Sequence, residues 1–255
     1  MKLASWNVNS LKVRLPQVEA WAAGAEPAVI GLQELKLDTP AFPHAAIEAL
    51  GYSARAVSGQ KTYNGVALLA RSPITEVVTE LPGFDDPQRR VIAGTVEGLR
   101  IVNLYVVNGE SVGSEKYAYK LRWLAALTTW LAAELARHPQ LVVMGDFNIA
   151  PEDRDVHDPL VWREQVLCST PERAAFAGIQ ALGLHDSFRA FEPGAGHFSW
   201  WDYRQAGFRR NLGMRIDLVL VSEALKPRLR AAGIDREPRG WERPSDHAPV
   251  WIVLD

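Results

Sequence analysis

The chain has 255 residues, 47% of them hydrophobic and 23% charged, enough to bury a sizeable core. Its formal net charge of −2 excludes the global basic signature of a nucleic-acid binder, so any polyanion must be held by a local patch. A single cysteine, Cys168, excludes an internal disulfide. No apolar run approaches the roughly 20 residues of a membrane span, and the start Met1–Asn7 is too polar for a signal peptide, so a soluble, cytoplasmic protein is expected.

In chain order, Lys2–Val8 alternates toward a strand with Asn7 and Asn9 on one face at its end. A helix is predicted next, with Ser10 as cap and Leu11, Leu15, Val18 and Trp21 at helical spacing. Ala28–Leu32 reads as a short buried strand running into Gln33 and Glu34, and a helix over Phe42–Leu50 closes at Gly51. Strands are predicted over Tyr52–Val57, Val66–Ala70, Ile74–Leu81, Val91–Val96 and Leu99–Val107, with Asn64-Gly65, Ser72-Pro73 and Glu97-Gly98 as turn signals. Such spacing implies antiparallel meander rather than strict strand–helix alternation.

The longest helical signal covers Lys116–Arg137, with Leu121, Leu124, Leu127, Leu131 and Leu135 as its buried stripe. At its start Lys116, Lys120 and Arg122 interleave with Tyr117 and Tyr119, which suits either a polyanion-facing cluster or a solvated face. Leu141–Met144 is a buried strand, Gly145 permits a sharp turn, and Asp146 and Asn148 then share a face with Phe147 turned inward. A carboxylate that takes a proton beside an amide that holds an anionic oxygen suits phosphate-ester hydrolysis. Asp158-Pro159 and Thr170-Pro171 read as helix starts, and the second helix, with Ala174, Ile179 and Leu182 inward, stops at Gly183. Residues 194–204 are dense in aromatics and lead to Arg209, Arg210 and Arg215, a composition that serves base stacking or a packed core. The strand Ile216–Val221 carries Asp217 at its start, and Asp246-His247 precedes the last strand, Val250–Leu254. Without a linker or repeat, residues 1–255 read as one domain.

Asn7, Glu34, Tyr105 and Asp146 thus fall at the C-terminal ends of strands, and Asp217 and Asp246-His247 just before strands. If the latter strands run antiparallel to the former, all reach one sheet edge. Such a set offers hard oxygen ligands and no thiolate, which suits Mg²⁺, with Mn²⁺ as substitute, and metal-assisted phosphodiester hydrolysis.

Five motifs in order carry a resemblance: Trp-Asn-Val-Asn at 6–9, Leu-Gln-Glu-Leu-Lys at 32–36, Gly-Asp-Phe-Asn at 145–148, Arg-Ile-Asp at 215–217 and Ser-Asp-His-Ala-Pro at 245–249. Together they resemble the exonuclease III family of apurinic/apyrimidinic endonucleases, within the endonuclease/exonuclease/phosphatase superfamily. Gln88-Arg89-Arg90, the segment Lys116–Trp123, Phe198-Ser199-Trp200 and Asp202-Tyr203-Arg204 extend the match to the DNA-repair branch. The resemblance implies a deoxyribonuclease I-like α/β fold, in which two mixed, largely antiparallel sheets pack together between helices as a four-layer sandwich. It implies Glu34 as principal metal ligand, with Asn7 beside it, Asp246 assisting, and Asp146, Asn148 and His247 completing the metal surroundings. Asp146 would activate water, Asn148 would hold that water or the scissile phosphate, and His247, oriented by Asp217, would bind the phosphate. Tyr105 would stabilise the transition state or leaving oxygen.

The implied partner is double-stranded DNA with abasic sites or 3′ ends, held by a monomer through Arg89, Arg90, Asn108, Lys116, Tyr117 and Arg204. Trp200 and Met214 would form the abasic-sugar pocket, with Phe198 and Trp201 as neighbours. One departure stands out: Val107 occupies a place where the family has Pro, which removes a fixed φ angle beside Tyr105. Two other readings compete. A relative acting on a lipid, inositol or RNA phosphoester would share the catalytic set but not need the aromatic–Arg segment. A non-catalytic DNA-binding scaffold would have to retain many buried polar groups without use.

Overall fold

A computed structural model describes residues 1–255. In chain order the strands are β1 (Lys2–Asn7), β2 (Val29–Gln33), β3 (Ala54–Ser58), β4 (Val66–Ala70), β5 (Thr75–Val78), β6 (Val91–Val96), β7 (Leu99–Tyr105), β8 (Leu141–Asp146), β9 (Leu184–Asp186), β10 (Trp200–Trp201), β11 (Gly213–Met214), β12 (Asp217–Ser222), β13 (Leu229–Ile234) and β14 (Val250–Leu254). The helices are α1 (Leu11–Ala25), α2 (His44–Ala49), α3 (Glu115–Arg137), α4 (Pro159–Trp162) and α5 (Thr170–Gln180). No helix is long and apolar enough to cross a membrane.

Two six-stranded sheets carry the fold, in the orders β13-β14-β1-β2-β4-β3 and β5-β6-β7-β8-β12-β9. Each has one parallel pair at its centre, β1–β2 and β7–β8, flanked by antiparallel neighbours. Period-two alternation explains why they stack. In β8, Val142 and Met144 face the other sheet while Leu141 and Val143 face helices. The inter-sheet core joins Leu3, Leu68 and Ile252 to Ile92, Ile101 and Val219. Outside one sheet, Trp123, Leu124 and Leu131 of α3 pack with Phe176 and Ile179 of α5. Outside the other, Trp6, Ile30 and Leu69 receive Leu11, Val18 and Trp21 of α1 and Ile47 of α2. The result is the expected four layers: helices, sheet, sheet, helices.

Helix faces depart from the sequence reading. On α3 the buried side includes Tyr117, Lys120, Trp123, Trp130 and Glu134, while Leu121 and Leu135 are only half-buried. Its cap is Ser114, whose hydroxyl accepts from Tyr117 N, and Glu115 supplies a first-turn acid that offsets the lysines against the helix dipole. On α5, Ala174 is exposed and Phe176 takes the inward place. The expected strand over Ile74–Leu81 shrinks to the exposed edge strand Thr75–Val78, interrupted by a bulge.

Candidate active site

Strand register delivers the site. Asn7 pairs with Gln33 across the parallel β1–β2 ladder, so Glu34 stands one residue beyond. Tyr105 pairs with Asp146 across β7–β8, and Asp217 pairs with Asp146 across the antiparallel β12–β8. β14 runs antiparallel to β1, which returns the 245–247 turn to the end of β1, where Ser245 Oγ donates to Asn7 O at 2.7 Å and Trp6 Nε1 to His247 O at 3.1 Å. Gly145 is needed here: its φ is 147° and a Cβ would collide with the Leu104 carbonyl of the neighbouring strand.

Asp146, buried, is the hub. Its Oδ2 accepts from Asn7 Nδ2 at 2.9 Å and lies 3.7 Å from His247 Nε2, while its Oδ1 accepts from Asn148 N at 2.9 Å. The other ring nitrogen, His247 Nδ1, lies 2.9 Å from Asp217 Oδ2, and Ser199 Oγ donates to the same carboxylate oxygen at 2.7 Å. The imidazole is thus held between two carboxylates. Burial alone would lower the His247 pKa, but Asp217 and Asp146 outweigh it and raise it above its ordinary value. Burial pushes the Asp146 carboxyl up despite the neighbouring imidazolium, which makes it a stronger base than a surface aspartate. Tyr105 is likewise raised, by burial and by Glu34 and Asp146, so its hydroxyl stays a proton donor.

The donor set fits a hard divalent cation. Ligand-capable atoms of Glu34, Asp146 and His247 lie within 4.8 Å of one another. Two of these residues are carboxylates, and one neutral amide bridges them: Asn7 Nδ2 reaches Glu34 Oε1 at 3.0 Å as well as Asp146. Two expected ligands need correction. Asn7 turns its nitrogen toward the carboxylates, because its Oδ1 accepts from Asn9 N at 3.0 Å. His247 keeps its place: its Nδ1 is taken up by Asp217, and its Nε2 side faces the cluster with Asp146 and Glu34. Asp246 spends its oxygens on Asn9 Nδ2 at 2.9 Å and Trp200 Nε1 at 3.0 Å, outside the cluster. Asn148 is oriented toward Asn108 and Val106: its Oδ1 accepts from Asn108 Nδ2 at 3.1 Å and its Nδ2 donates to Val106 O at 3.0 Å.

The expected DNA-contacting residues divide. A cavity of about 310 Å³ beside Glu34 is lined by Lys36, Arg90, Tyr105, Asn108 and Lys116. A second, of about 380 Å³, is lined by Trp200, Arg204, His157 and Trp162, and Trp200 bridges to His247. The hub is therefore flanked by a cationic cleft and an aromatic one. Tyr117, however, is buried, with its hydroxyl 2.7 Å from Ser169 Oγ, and cannot face a ligand. Arg90 is buried too; it stacks on the Tyr105 ring at 4.7 Å and donates to Gln88 Oε1 at 2.8 Å and Tyr105 O at 3.2 Å. This brace, with Val106 N donating to Asp146 O at 2.9 Å, holds Tyr105 in place although Val107 is not proline. Arg89 is half-buried and ion-paired with Glu80, and Arg204 is exposed and paired with its neighbour Asp202. Met214 is fully buried, paired with Trp200 across β10–β11 rather than lining the cavity, and Phe198 and Trp201 are core residues. Sequence reasoning missed Ser199 as the support of Asp217, and Lys36, whose Nζ lies 2.9 Å from Glu34 Oε2 and 2.6 Å from Asn9 Oδ1. Both lie inside motifs already singled out, so adjacency to a motif was the usable signal.

Proteins of similar sequence and fold are known. Residues 4–247 match the Endonuclease/Exonuclease/phosphatase family. Exodeoxyribonuclease III of Haemophilus influenzae is 39% identical, with 98% of each chain covered. Among solved structures, the 3′ phosphatase NExo from Neisseria, bound to a product DNA hairpin, has TM-score 0.98 at 51% identity, covering 100% of this chain and 99% of that one. An AP endonuclease from Archaeoglobus fulgidus has TM-score 0.95 at 34% identity, with 100% and 99% covered. The chain belongs to the endonuclease/exonuclease/phosphatase family and, within it, to the exodeoxyribonuclease III-type nucleases.

Proposed function

We propose that the protein is a Mg²⁺-dependent DNA-repair phosphodiesterase, one catalytic domain over residues 1–255, acting as a monomer in the cytoplasm. It hydrolyses the DNA backbone 5′ to abasic sites, leaving a 3′-hydroxyl, and trims or cleans 3′ ends. The observation that carries this reading is the line Asp217–His247–Asp146, with Glu34 and Tyr105 beside it, between a cationic and an aromatic cleft.

The chemistry follows from the charges. Asp146 takes a proton from water as the water oxygen bonds to phosphorus, and the P–O3′ bond breaks with O3′ taking a proton from solvent to leave as the 3′-hydroxyl. The His247 imidazolium donates to a non-bridging phosphate oxygen, and Asp217 keeps it protonated and oriented. The Tyr105 hydroxyl and the Asn148 amide stabilise charge building on the transition state. Glu34 and Asp146 would hold Mg²⁺, or Mn²⁺ in its place. When bound, the ion neutralises phosphate charge and polarises the reacting oxygens. Trp200, beside Met214, supplies a stacking surface for an exposed sugar or base, while Lys116, Lys36 and Asn108 meet neighbouring phosphates.

A second reading, in which 3′-phosphate removal dominates over abasic incision, is favoured by the 51% identity to a protein described as a 3′ phosphatase. Both substrates therefore belong in one test. A labelled duplex with an abasic site and one with a 3′-phosphate are incubated with Mg²⁺, with EDTA, and with the Asp146→Asn variant. Incision or phosphate release lost in both controls supports the function, and the ratio of rates separates the two readings. Turnover that survives EDTA or Asp146→Asn overturns it.

A further inference from the structure

Two side chains of opposite charge, Lys120 and Glu172, meet with no exposed side-chain surface on either. A buried ammonium must use its three donors, and one carboxylate does not satisfy them. The others go to backbone: Lys120 Nζ lies 2.6 Å from Asn148 O and 3.0 Å from Asn108 O. These are the residues whose side-chain amides meet at the site, and Asn148 N in turn donates to Asp146 Oδ1 at 2.9 Å. Asn148 has φ of 48°, a left-handed conformation that the surroundings must hold in place. Glu172 anchors the ammonium from the other side, accepting from Leu167 N at 3.0 Å and Ser169 N at 3.2 Å. Gly109 lies against the lysine stem, where a Cβ would stand 3.2 Å from Lys120 Cδ.

The same helix offers an internal comparison. At its other end Glu134 pairs with Arg100 at 2.6 Å, again almost fully buried. Arg100 spends its remaining contacts on Glu76 O and Thr95 Oγ1, far from the catalytic edge. Two buried ion pairs thus fasten α3 to its neighbours, Lys120 to α5 and Glu134 to β7, and only the first touches the loops that carry catalytic groups.

We propose that the Lys120–Glu172 pair is a positioning element for hydrolysis, tying the 108–109 and 146–148 loops together so that Asn148 and Asp146 keep their working orientation. It rests on the phosphodiesterase reading of the site, and neither residue touches reacting atoms.

The test compares wild type, the double variant Lys120→Met/Glu172→Gln, and the control Arg100→Met/Glu134→Gln, each of which removes both charges so that none is left buried alone. On abasic or 3′-phosphate duplex, kcat of the first variant falls about 10- to 100-fold, as for other supporting partners of reactive groups. Its KM changes less, within about threefold, because Lys36, Lys116 and Trp200 are untouched and Asn108 is the one DNA-facing residue tied to Lys120. The side-chain amide resonances of Asn108 and Asn148 shift or broaden. The control loses thermal stability but keeps wild-type kcat and amide resonances. Glu172→Asp, which keeps both charges and shortens one arm, gives a smaller kcat loss with the same resonances affected, and serves if the double variant does not fold. Wild-type kcat and unmoved amides in the Lys120–Glu172 variants, or an equal kcat loss in the control, overturn the proposal. If wild type cuts no DNA, the functional reading fails, while the amide resonances still decide whether the tie exists.

Discussion

Asp146 and Asp217 are direct partners across two antiparallel strands, and the imidazole of His247 bridges their carboxylates. Like charges opposite one another in a ladder are destabilising, so the histidine is as much the cation of this pair as a contact for phosphate. Asp217→Asn should therefore act on His247 first. Removing Asp217, the foremost of the carboxylates that raise its pKa, lowers it, and the fraction of imidazolium at neutral pH drops. An NMR titration of His247 should show the downward shift, with kcat reduced about 10- to 100-fold as for other orienting partners. An unmoved His247 titration would show that Asp217 does not set its charge.

The pH profile of turnover should be bell-shaped. Asp146 must be ionised to act as base, and burial raises its pKa, so activity is lost as pH falls through that value and rises above it. His247 must be protonated, and its pKa is raised, so activity declines again as pH climbs through the upper value. The two limbs belong to the coupled pair rather than to either residue. A cation beside Asp146 favours the carboxylate, so raising Mg²⁺ should move the acid limb to lower pH. Rate–pH curves at two Mg²⁺ concentrations check this, and a limb that stays put argues against Asp146 as a metal neighbour.

Trp200→Ala should weaken selection for an abasic duplex over an intact one more than it weakens the response to Mg²⁺. The indole is half-buried beside Met214, hydrogen-bonded to Asp246 and outside the carboxylate cluster. Loss of base or sugar stacking is worth about 1–3 kcal/mol, a roughly 5- to 150-fold change in the specificity ratio. Competition between labelled duplexes measures it. Equal loss on every substrate would remove Trp200 from the pocket.

Cys168 should be inert in the folded protein. It is buried beside Met214 and Leu167, and burial pushes its thiol up to about 12. A thiol reagent at pH 8 should label it only after denaturant is added, at one equivalent. Rapid native labelling would mean that the cluster under Trp200 opens.

Much of the site was legible because strand ends are a one-dimensional property. Apolar runs ending in Asn7, Glu34, Tyr105 and Asp146, and others beginning after Asp217 and His247, locate these residues at termini whatever the fold. Two parallel central pairs with antiparallel neighbours then bring those termini to one edge. The four layers were implied by the family resemblance, and the alternation within strands such as β8 shows why they form.

What tertiary structure alone decided is which way each polar group turns and what charge it carries. Tyr117 and Lys120 sat in a run that could face a polyanion, and both are buried. Lys120 tolerates burial only because Glu172, 52 residues away in sequence, and two backbone carbonyls use its protons. Asn7 offers its amide nitrogen because Asn9 N occupies its oxygen, and the His247 pKa is raised because two carboxylates from different strands enclose it. Sequence pattern determined where these groups lie along the backbone, through periodicity and turn chemistry. Their ionisation and hydrogen-bond sense depend on partners supplied by other elements, and those exist only once the sheets have packed.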